Sequence, residues 1–156
     1  MDNTKVISTL NSLIETLKDG EEGFRTAAEG LTDPQAKAVF QQYSRERAQM
    51  AQELQAEVRT LGGDPEQAGS MSGSVHRGWI NIKSVVTGKN DASIIAEAER
   101  GEDIAKNAYA EAIKTALPAS VSAVISRQAV KVREAHDRVR SMERAVTTAR
   151  HEGSVS

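Results

Sequence analysis

The sequence contains no cysteine and few aromatic residues, and these shortages exclude several kinds of protein. Without cysteine the chain forms no disulfide, no thiolate metal site and no cysteine nucleophile, so any metal would need carboxylate, imidazole or amide ligands. No apolar run approaches the roughly 20 residues that a membrane-spanning helix needs, so we expect no membrane partner. The residues after Met1 do not form a signal peptide, which predicts a cytoplasmic protein.

Alanine, by contrast, is abundant, with 22 residues against five aromatic ones in a chain of 156. Alanine favours helices, whereas the bulky residues that favour strands are scarce. The formal net charge of −2 argues against a dedicated nucleic-acid binder. These features predict one all-α domain with a small-residue core and no nucleic-acid partner, and they indicate no particular small-molecule substrate.

Prolines and glycines divide the chain into helical segments. Pro34 and Pro118 each stand at a short break, and six of the eleven glycines fall between residues 62 and 88. Between these breaks, apolar residues are spaced alternately four and three apart, which is typical of helices in a bundle. The domain is predicted to span residues 1–150, with a flexible tail at 151–156. We predict four long helices, at residues 3–31, 34–61, 91–116 and 118–148.

The lengths of the connections predict how these helices are arranged. The breaks at Pro34 and Pro118 are so short that each must join an antiparallel helical hairpin, and Asp33 is expected to cap the second helix. Residues 62–90 are long enough to run the length of the bundle, and we expect a short helix over residues 75–83. Two hairpins joined by one long crossover form the ferritin-like four-helix bundle.

Polar residues that interrupt the predicted apolar seams are the candidate site. Glu102 and Gln128 lie in otherwise apolar seams, and on the second helix the seam position falls on Glu46 or Arg47. Gln49 is three residues from Glu46 and shares its face. A buried carboxylate needs a cation or hydrogen-bond donors. Two interpretations stay open: a buried polar cluster that sets the helix register, or a weak iron or manganese site formed by Glu46, Gln49, Glu102 and Gln128.

Two of these segments resemble those of known metal-binding bundles. Residues 45–54 resemble the Glu-x-x-His stretch of ferritins and rubrerythrins, and Glu102 with Tyr109 resembles the Glu and Tyr of their single-carboxylate helices. The resemblance implies a di-iron site, but the pattern is incomplete here. Gln49 stands where a histidine is required, and Leu17 stands where a glutamate is required.

Nearly the whole chain resembles a bacterial ferritin-like four-helix-bundle family of unknown function. The matching stretches are residues 17–24, 61–63, 76–79, 99–103 and 109–112. This resemblance implies a fold but no established activity. We expect a non-enzymatic structural or stress-associated bundle whose degenerate di-metal site has become a polar core, with no cofactor. The alternative is an iron- or manganese-binding oxidoreductase, or an iron-handling protein, that uses Glu46 and Glu102.

Several other residues and surfaces carry expectations. Trp79 is expected to anchor the crossover by burying its indole, and His76 shares its face. His136 is expected to be partly exposed beside the seam, and Gly20 to allow close packing near Glu102. An acidic third helix and a basic fourth helix predict charge pairing within or between subunits. We also expect a homo-oligomer, in the simplest case a dimer.

Overall fold

The computed structural model describes residues 3–65 and 78–155, with side chains as far as residue 146. Within this part of the chain it contains five helices and no strand, which confirms the all-α class. None of these helices has a stretch long and apolar enough to cross a membrane. The helices are α1 (Thr4–Gly30), α2 (Pro34–Thr60), α3 (Ile82–Thr87), α4 (Asp91–Lys114) and α5 (Ala119–Val155).

Capping residues set the starts of α2 and α4. Asp33 accepts a hydrogen bond from the Ala36 amide at 3.3 Å, and Pro34 occupies the first helical position, as predicted. Asn90 caps α4 in the same way, through the Ser93 amide at 3.0 Å. Both helices therefore begin with one of their orphan backbone donors satisfied.

The last helix is longer than predicted. The backbone of α5 continues to Val155, beyond the expected end at residue 148 and through most of the expected flexible tail at 151–156. No proline follows Pro118, so every later residue keeps the backbone donor that a helix requires. The prediction of a helix end at residue 148 is therefore wrong.

The crossover helix lies later in the chain than predicted. Helix α3 begins at Ile82, whereas we expected a short helix over residues 75–83. Gly78 has a φ of +76°, which an α-helix does not contain, so regular helix starts only after it. The first part of the expected helix, residues 75–77, lies outside the described residues.

The four long helices surround one core. Among the described residues, α1 packs against α2 and α4, and α5 packs against α4 and α2, so each long helix contacts two others. Hydrogen bonds from Tyr109 to Gln128 and from His136 to Asp103 show that α4 and α5 run antiparallel. The short helix α3 lies against α1 and α4. The crossover is thereby held on the side of the bundle formed by α1 and α4.

The core divides into an aliphatic end and an aromatic end. The aromatic end contains Phe24, Phe40, Tyr43 and Trp79, packed with smaller apolar side chains. The buried residues of the aliphatic end are Val6, Leu10, Leu13, Ile14, Leu17, Met50, Ala51, Leu54, Val58, Ala105, Tyr109, Ala112, Val121, Ile125 and Val132. The seam predicted for the first helix is buried along its whole length, from Val6 to Leu31.

A carboxylate clamp joins the first hairpin to α4. Asp91 accepts hydrogen bonds from the Thr32 amide at 2.9 Å, the Thr32 hydroxyl at 3.0 Å and the Asp33 amide at 3.0 Å. These contacts hold the turn between α1 and α2 against the start of α4. The sequence carried no signal for this clamp, because its two parts are far apart in the chain.

Candidate functional site

The candidate site centres on an ion pair inside the bundle. The Arg47 guanidinium donates from Nη1 to Glu102 Oε1 at 2.8 Å and from Nη2 to Oε2 at 2.5 Å. The two side chains are 1% and 0% exposed. This bidentate geometry is the one that distinguishes arginine from lysine. Of the two residues that the second seam left open, Arg47 is therefore the buried one, and Glu46 is half-buried.

The surroundings of Arg47 make room for its guanidinium. The pair with Glu102 lies between the aliphatic and aromatic ends of the core along α2 and α4. A Cβ atom at Gly20 would lie 3.1 Å from Arg47 Nη1, so glycine leaves the space that the guanidinium occupies. Arg47 Cζ lies 5.4 Å from the Phe24 ring centroid, within cation–π range. At Gly20 the neighbour is therefore the Arg47 side chain.

The two charges of the pair stabilise each other. Burial lowers the pKa of Arg47, but the charge and hydrogen bonds of Glu102 outweigh burial and raise the pKa above its ordinary value. Arg47 is therefore a permanent cation in the core. Both oxygens of Glu102 accept from this one guanidinium, and its positive charge repels any metal ion that would approach the same carboxylate.

A second set of hydrogen bonds leads from the core to the surface between α2 and α5. Tyr109 Oη donates to Gln128 Oε1 at 2.7 Å. Gln128 Nε2 donates to Glu53 Oε1 at 2.7 Å and to the Met50 carbonyl at 3.2 Å. Arg127 Nη2 in turn donates to Glu53 Oε2 at 2.7 Å. The fully buried Gln128 thus has both ends of its amide satisfied, as a buried amide requires.

The ionisation of this network follows from its surroundings. Burial raises the pKa of Tyr109, so the phenol is neutral and acts as a donor. Burial also raises the pKa of Glu53, but hydrogen bonds from Arg127 and Gln128 outweigh it and hold the pKa below its usual value. Glu53 is therefore a carboxylate at neutral pH.

A cleft of about 450 Å³ between α2 and α5 brings together three of the four predicted site residues, Glu46, Gln49 and Gln128. The fourth, Glu102, is buried in its pair with Arg47. The residues that line the cleft are Glu46, Gln49, Met50, Gln52, Glu53, Arg127, Gln128 and Lys131. The structure thus separates the predicted set into an open cleft and a closed ion pair.

The donor set around this cleft does not fit a di-iron centre. Arg127 and Lys131 place two positive charges beside Glu46 and Glu53, and Arg127 already holds Glu53 at 2.7 Å. Di-iron bundles instead use carboxylates and imidazoles from all four helices. Within residues 3–65 and 78–146, no group of three histidine, aspartate or glutamate side chains is placed to hold a metal ion.

Trp79 anchors the crossover, as predicted. Its side chain is 2% exposed and meets the Phe24 ring nearly edge-on, with centroids 5.0 Å apart. A Cβ atom at Gly23 or Gly101 would overlap the indole, so these two helical glycines form the floor on which the ring lies. His76, which was expected to share a face with Trp79, lies outside the described residues.

The prediction for His136 is wrong, because its side chain is only 2% exposed. His136 Nε2 lies 2.6 Å from Asp103 Oδ1, and Nδ1 lies 3.2 Å from Asp137 Oδ1. The contact with Asp103 joins α5 to α4. His136 is four residues after the buried Val132 and three before the buried Val139. The same spacing rule that defines the seam could therefore have predicted that His136 is buried.

A buried glutamate that the sequence reasoning missed ties the crossover to α4. Glu97 is fully buried, and its Oε2 accepts a hydrogen bond from the Asn81 amide at 2.5 Å. Its Oε1 lies 2.7 Å from Arg100 Nη2 in an ion pair. Ile94, Glu97 and Gly101 are three and four residues apart, so they form a second buried row on α4 that the single predicted seam did not include.

Two comparisons with known proteins bear on identity. The comparison with curated proteins gave no match. A protein-family model matches residues 5–115, which is more than half of the chain and includes Arg47 and Glu102 but not Gln128. The chain therefore belongs to the family described as a domain of unknown function, DUF2383.

Proposed function

We propose that this chain is a non-enzymatic structural protein, built as a ferritin-like four-helix bundle in which an arginine–glutamate pair stands in place of a metal centre. The observation that carries the proposal is the buried bidentate contact between Arg47 and Glu102. Metal-binding bundles hold their cations between carboxylates in the core. Here the cation in the core is a side chain of the protein.

The arrangement of the helices supports the ferritin-like part of the proposal. Helices α1 and α2 are joined by a short turn, as are α4 and α5, whereas the connection from α2 to α4 is long and carries α3. Each long helix contacts two others around a shared core. One long crossover between two helical hairpins is the connectivity of ferritin-like bundles.

The role of the buried pair is to select one helix register. A buried ion pair contributes little net stability compared with a well-packed apolar pair, because both charges lose their hydration. An arginine without its carboxylate, however, is strongly unfavourable in a core. Arg47 on α2 and Glu102 on α4 satisfy each other only when these helices are aligned as they are here, so alternative packings of the alanine-rich seams are disfavoured.

Metal loading tests this proposal against the iron- or manganese-binding alternative. The protein is incubated aerobically with Fe(II) or Mn(II), desalted, and analysed for metal by mass spectrometry. We expect well under one metal ion per chain, with the same low content in Glu102→Gln and in the matched surface variant Glu111→Gln. Stoichiometric metal that is lost in Glu102→Gln but kept in Glu111→Gln would overturn the proposal.

A folding control keeps this experiment interpretable. Each variant is checked by circular dichroism and its melting temperature is recorded. A lower melting temperature of Glu102→Gln, with unchanged metal content, is the result expected of a structural pair. If metal raised the melting temperature of the native protein and not that of Glu102→Gln, the metal-binding alternative that uses Glu46 and Glu102 would be favoured.

A further inference from the structure

The outer face of α4 and α5 carries an apolar groove that includes neither residue of the buried ion pair. The groove has a volume of about 490 Å³ and is lined by Lys106, Asn107, Tyr109, Ala110, Ile113, Ser126, Ala129, Val130, Arg133, Glu134 and Asp137. Two large apolar side chains stand open at it, Ile113 with 52% exposure and Val130 with 57%. Exposed apolar side chains that share one groove mark an interaction surface more often than scattered ones do.

Charges of both signs surround these apolar residues. Lys106 and Arg133 are positive, and Glu134 and Asp137 are negative. Among the described residues, Lys106, Arg133 and Glu134 form no ion pair or hydrogen bond of their own side chains. Asp137 Oδ1 lies 3.2 Å from His136 Nδ1, its one ion pair within the described part of the chain. The groove therefore presents two cations and two anions, and three of these four side chains have no ion pair within the part of the chain that the structure describes.

We propose that this groove is the interface of a homodimer, in which a second copy of the chain packs its α4–α5 face against the first across a twofold axis. In a twofold interface the same patch meets itself, so the patch must be complementary to its own surface. Equal numbers of cations and anions meet this requirement, because Arg133 of each copy can pair with Glu134 or Asp137 of the other. A uniformly acidic or basic partner would leave one sign of charge unmatched.

The size of the face is adequate for such a dimer. Helix α4 has 24 residues and is about 36 Å long at 1.5 Å per residue. With two helices side by side, each about 10 Å across, the face has an area of roughly 700 Å². Standard stable interfaces bury roughly 600–1,000 Å² on each partner, a range that includes this area. The inference goes beyond the proposed function, because the groove and the buried ion pair share no residue.

Sedimentation equilibrium of the full chain tests the proposal, with Val130→Asp as the main variant. At concentrations up to about 100 µM we expect a mass of twice 16.8 kDa for the native protein. A carboxylate at position 130 would lose its hydration when the two faces meet, so we expect the dimer dissociation constant to rise at least about tenfold. Val130 is 57% exposed in the single chain, so the variant keeps its fold, which circular dichroism checks.

Ile80→Asp is the matched control. Of the large apolar side chains that the structure describes, Ile80 is the most exposed, at 77%, and it is not among the residues that line the groove. The same change from an apolar to an acidic side chain there should leave the mass unchanged. A native protein that is monomeric throughout this concentration range, or a dimer that Val130→Asp and Ile80→Asp affect equally, would overturn the proposal.

A charge exchange tests the twofold pairing itself. Arg133→Glu makes the rim more acidic, and Glu134→Arg makes it more basic, so each variant alone should self-associate more weakly than the native chain. Mixed together, the two variants should form a heterodimer, because each then meets the opposite charge. If the mixture stays as monomeric as its components while the native protein is dimeric, this pairing is wrong.

Discussion

The two ends of the core differ in what builds them. The buried residues that the structure describes at the aliphatic end all lie on the four long helices, at helical spacings. The aromatic end also requires Trp79 from the crossover, which lies on Gly23 and Gly101 and meets the Phe24 ring. A regular periodicity is therefore sufficient to build one end, whereas the other depends on a contact between segments distant in sequence.

Between the two ends lies the polar layer of Arg47 and Glu102. Its members come from α2 and α4, and Gly20 on α1 leaves the space for the guanidinium. Replacing either residue of this layer is expected to destabilise the fold, because the charge that remains is buried and has no water to solvate it. The comparison thus predicts that the polar layer is the most sensitive part of the molecule.

Breaking the polar layer should have the largest effect. Arg47→Met leaves Glu102 buried without its cation, and we expect a loss of about 3–5 kcal/mol in the free energy of unfolding. Urea denaturation measures it. The double variant Arg47→Met with Glu102→Leu removes both charges and should recover most of that loss. A single variant that loses less than about 1 kcal/mol would show that the pair is not buried as described.

The second-largest effect is expected at the aromatic end, when a side chain is added at one of the two glycines beneath Trp79. Gly101→Ala places a Cβ atom where the Trp79 indole lies, and we expect a loss of about 1–3 kcal/mol from overpacking. Gly88→Ala is the matched control, since a Cβ atom there would make only an ordinary contact, at 3.5 Å from the Val85 carbonyl oxygen. In a Trp79→Ala background the cost of Gly101→Ala should nearly vanish, and an undiminished cost would rule out the clash with the indole.

Removing the Asp91 clamp should have a smaller effect at the same end. Asp91→Ala deletes the acceptor for three hydrogen bonds from Thr32 and Asp33, and we expect a loss of about 1–2 kcal/mol in the free energy of unfolding. Amide hydrogen exchange should quicken at residues 32 and 33 in particular. Glu111→Ala, which removes an exposed carboxylate from the same helix, should leave exchange there unchanged.

The smallest effect is an acid dependence from the network beside the aliphatic end. The pKa of Glu53 is lower in the folded protein than the ordinary glutamate value of 4.5. Its carboxylate therefore stabilises the fold above about pH 4.5, and this contribution is lost as the pH falls through the folded-state pKa. On acidification, the melting temperature of Glu53→Gln should fall less than that of the native protein, because the variant lacks this carboxylate. Identical pH profiles for native protein and variant would contradict it.

The predictions from sequence were confirmed where they depended on the spacing and residue types within one helix. The seam from Val6 to Leu31 and the Asp33 cap both follow from local spacing and residue type. They failed where burial depends on a neighbouring helix. His136 was placed at the edge of its seam, and its burial comes from contact with Asp103 on α4.

The candidate site shows the same division. Glu102 was predicted as a buried carboxylate in need of a cation, and the seam on α2 admitted either Glu46 or Arg47. Only the packing of α2 against its neighbours decided that Arg47 faces the core and Glu46 the cleft. Residues 46 and 47 differ by about 100° around a helix, and spacing alone does not resolve that angle at a seam where both residues are charged.

The sequence by itself thus determined the helical class, the two short turns and a core short of bulk, because helix propensity, capping and hydrophobic period act over a few residues. The tertiary structure decided which cation meets Glu102, what lies on Gly23 and Gly101, and which faces stay open at Ile113 and Val130. The contacts of Glu102 and of the two glycines join residues more than 20 positions apart in the chain, and their geometry exists only once the helices have packed.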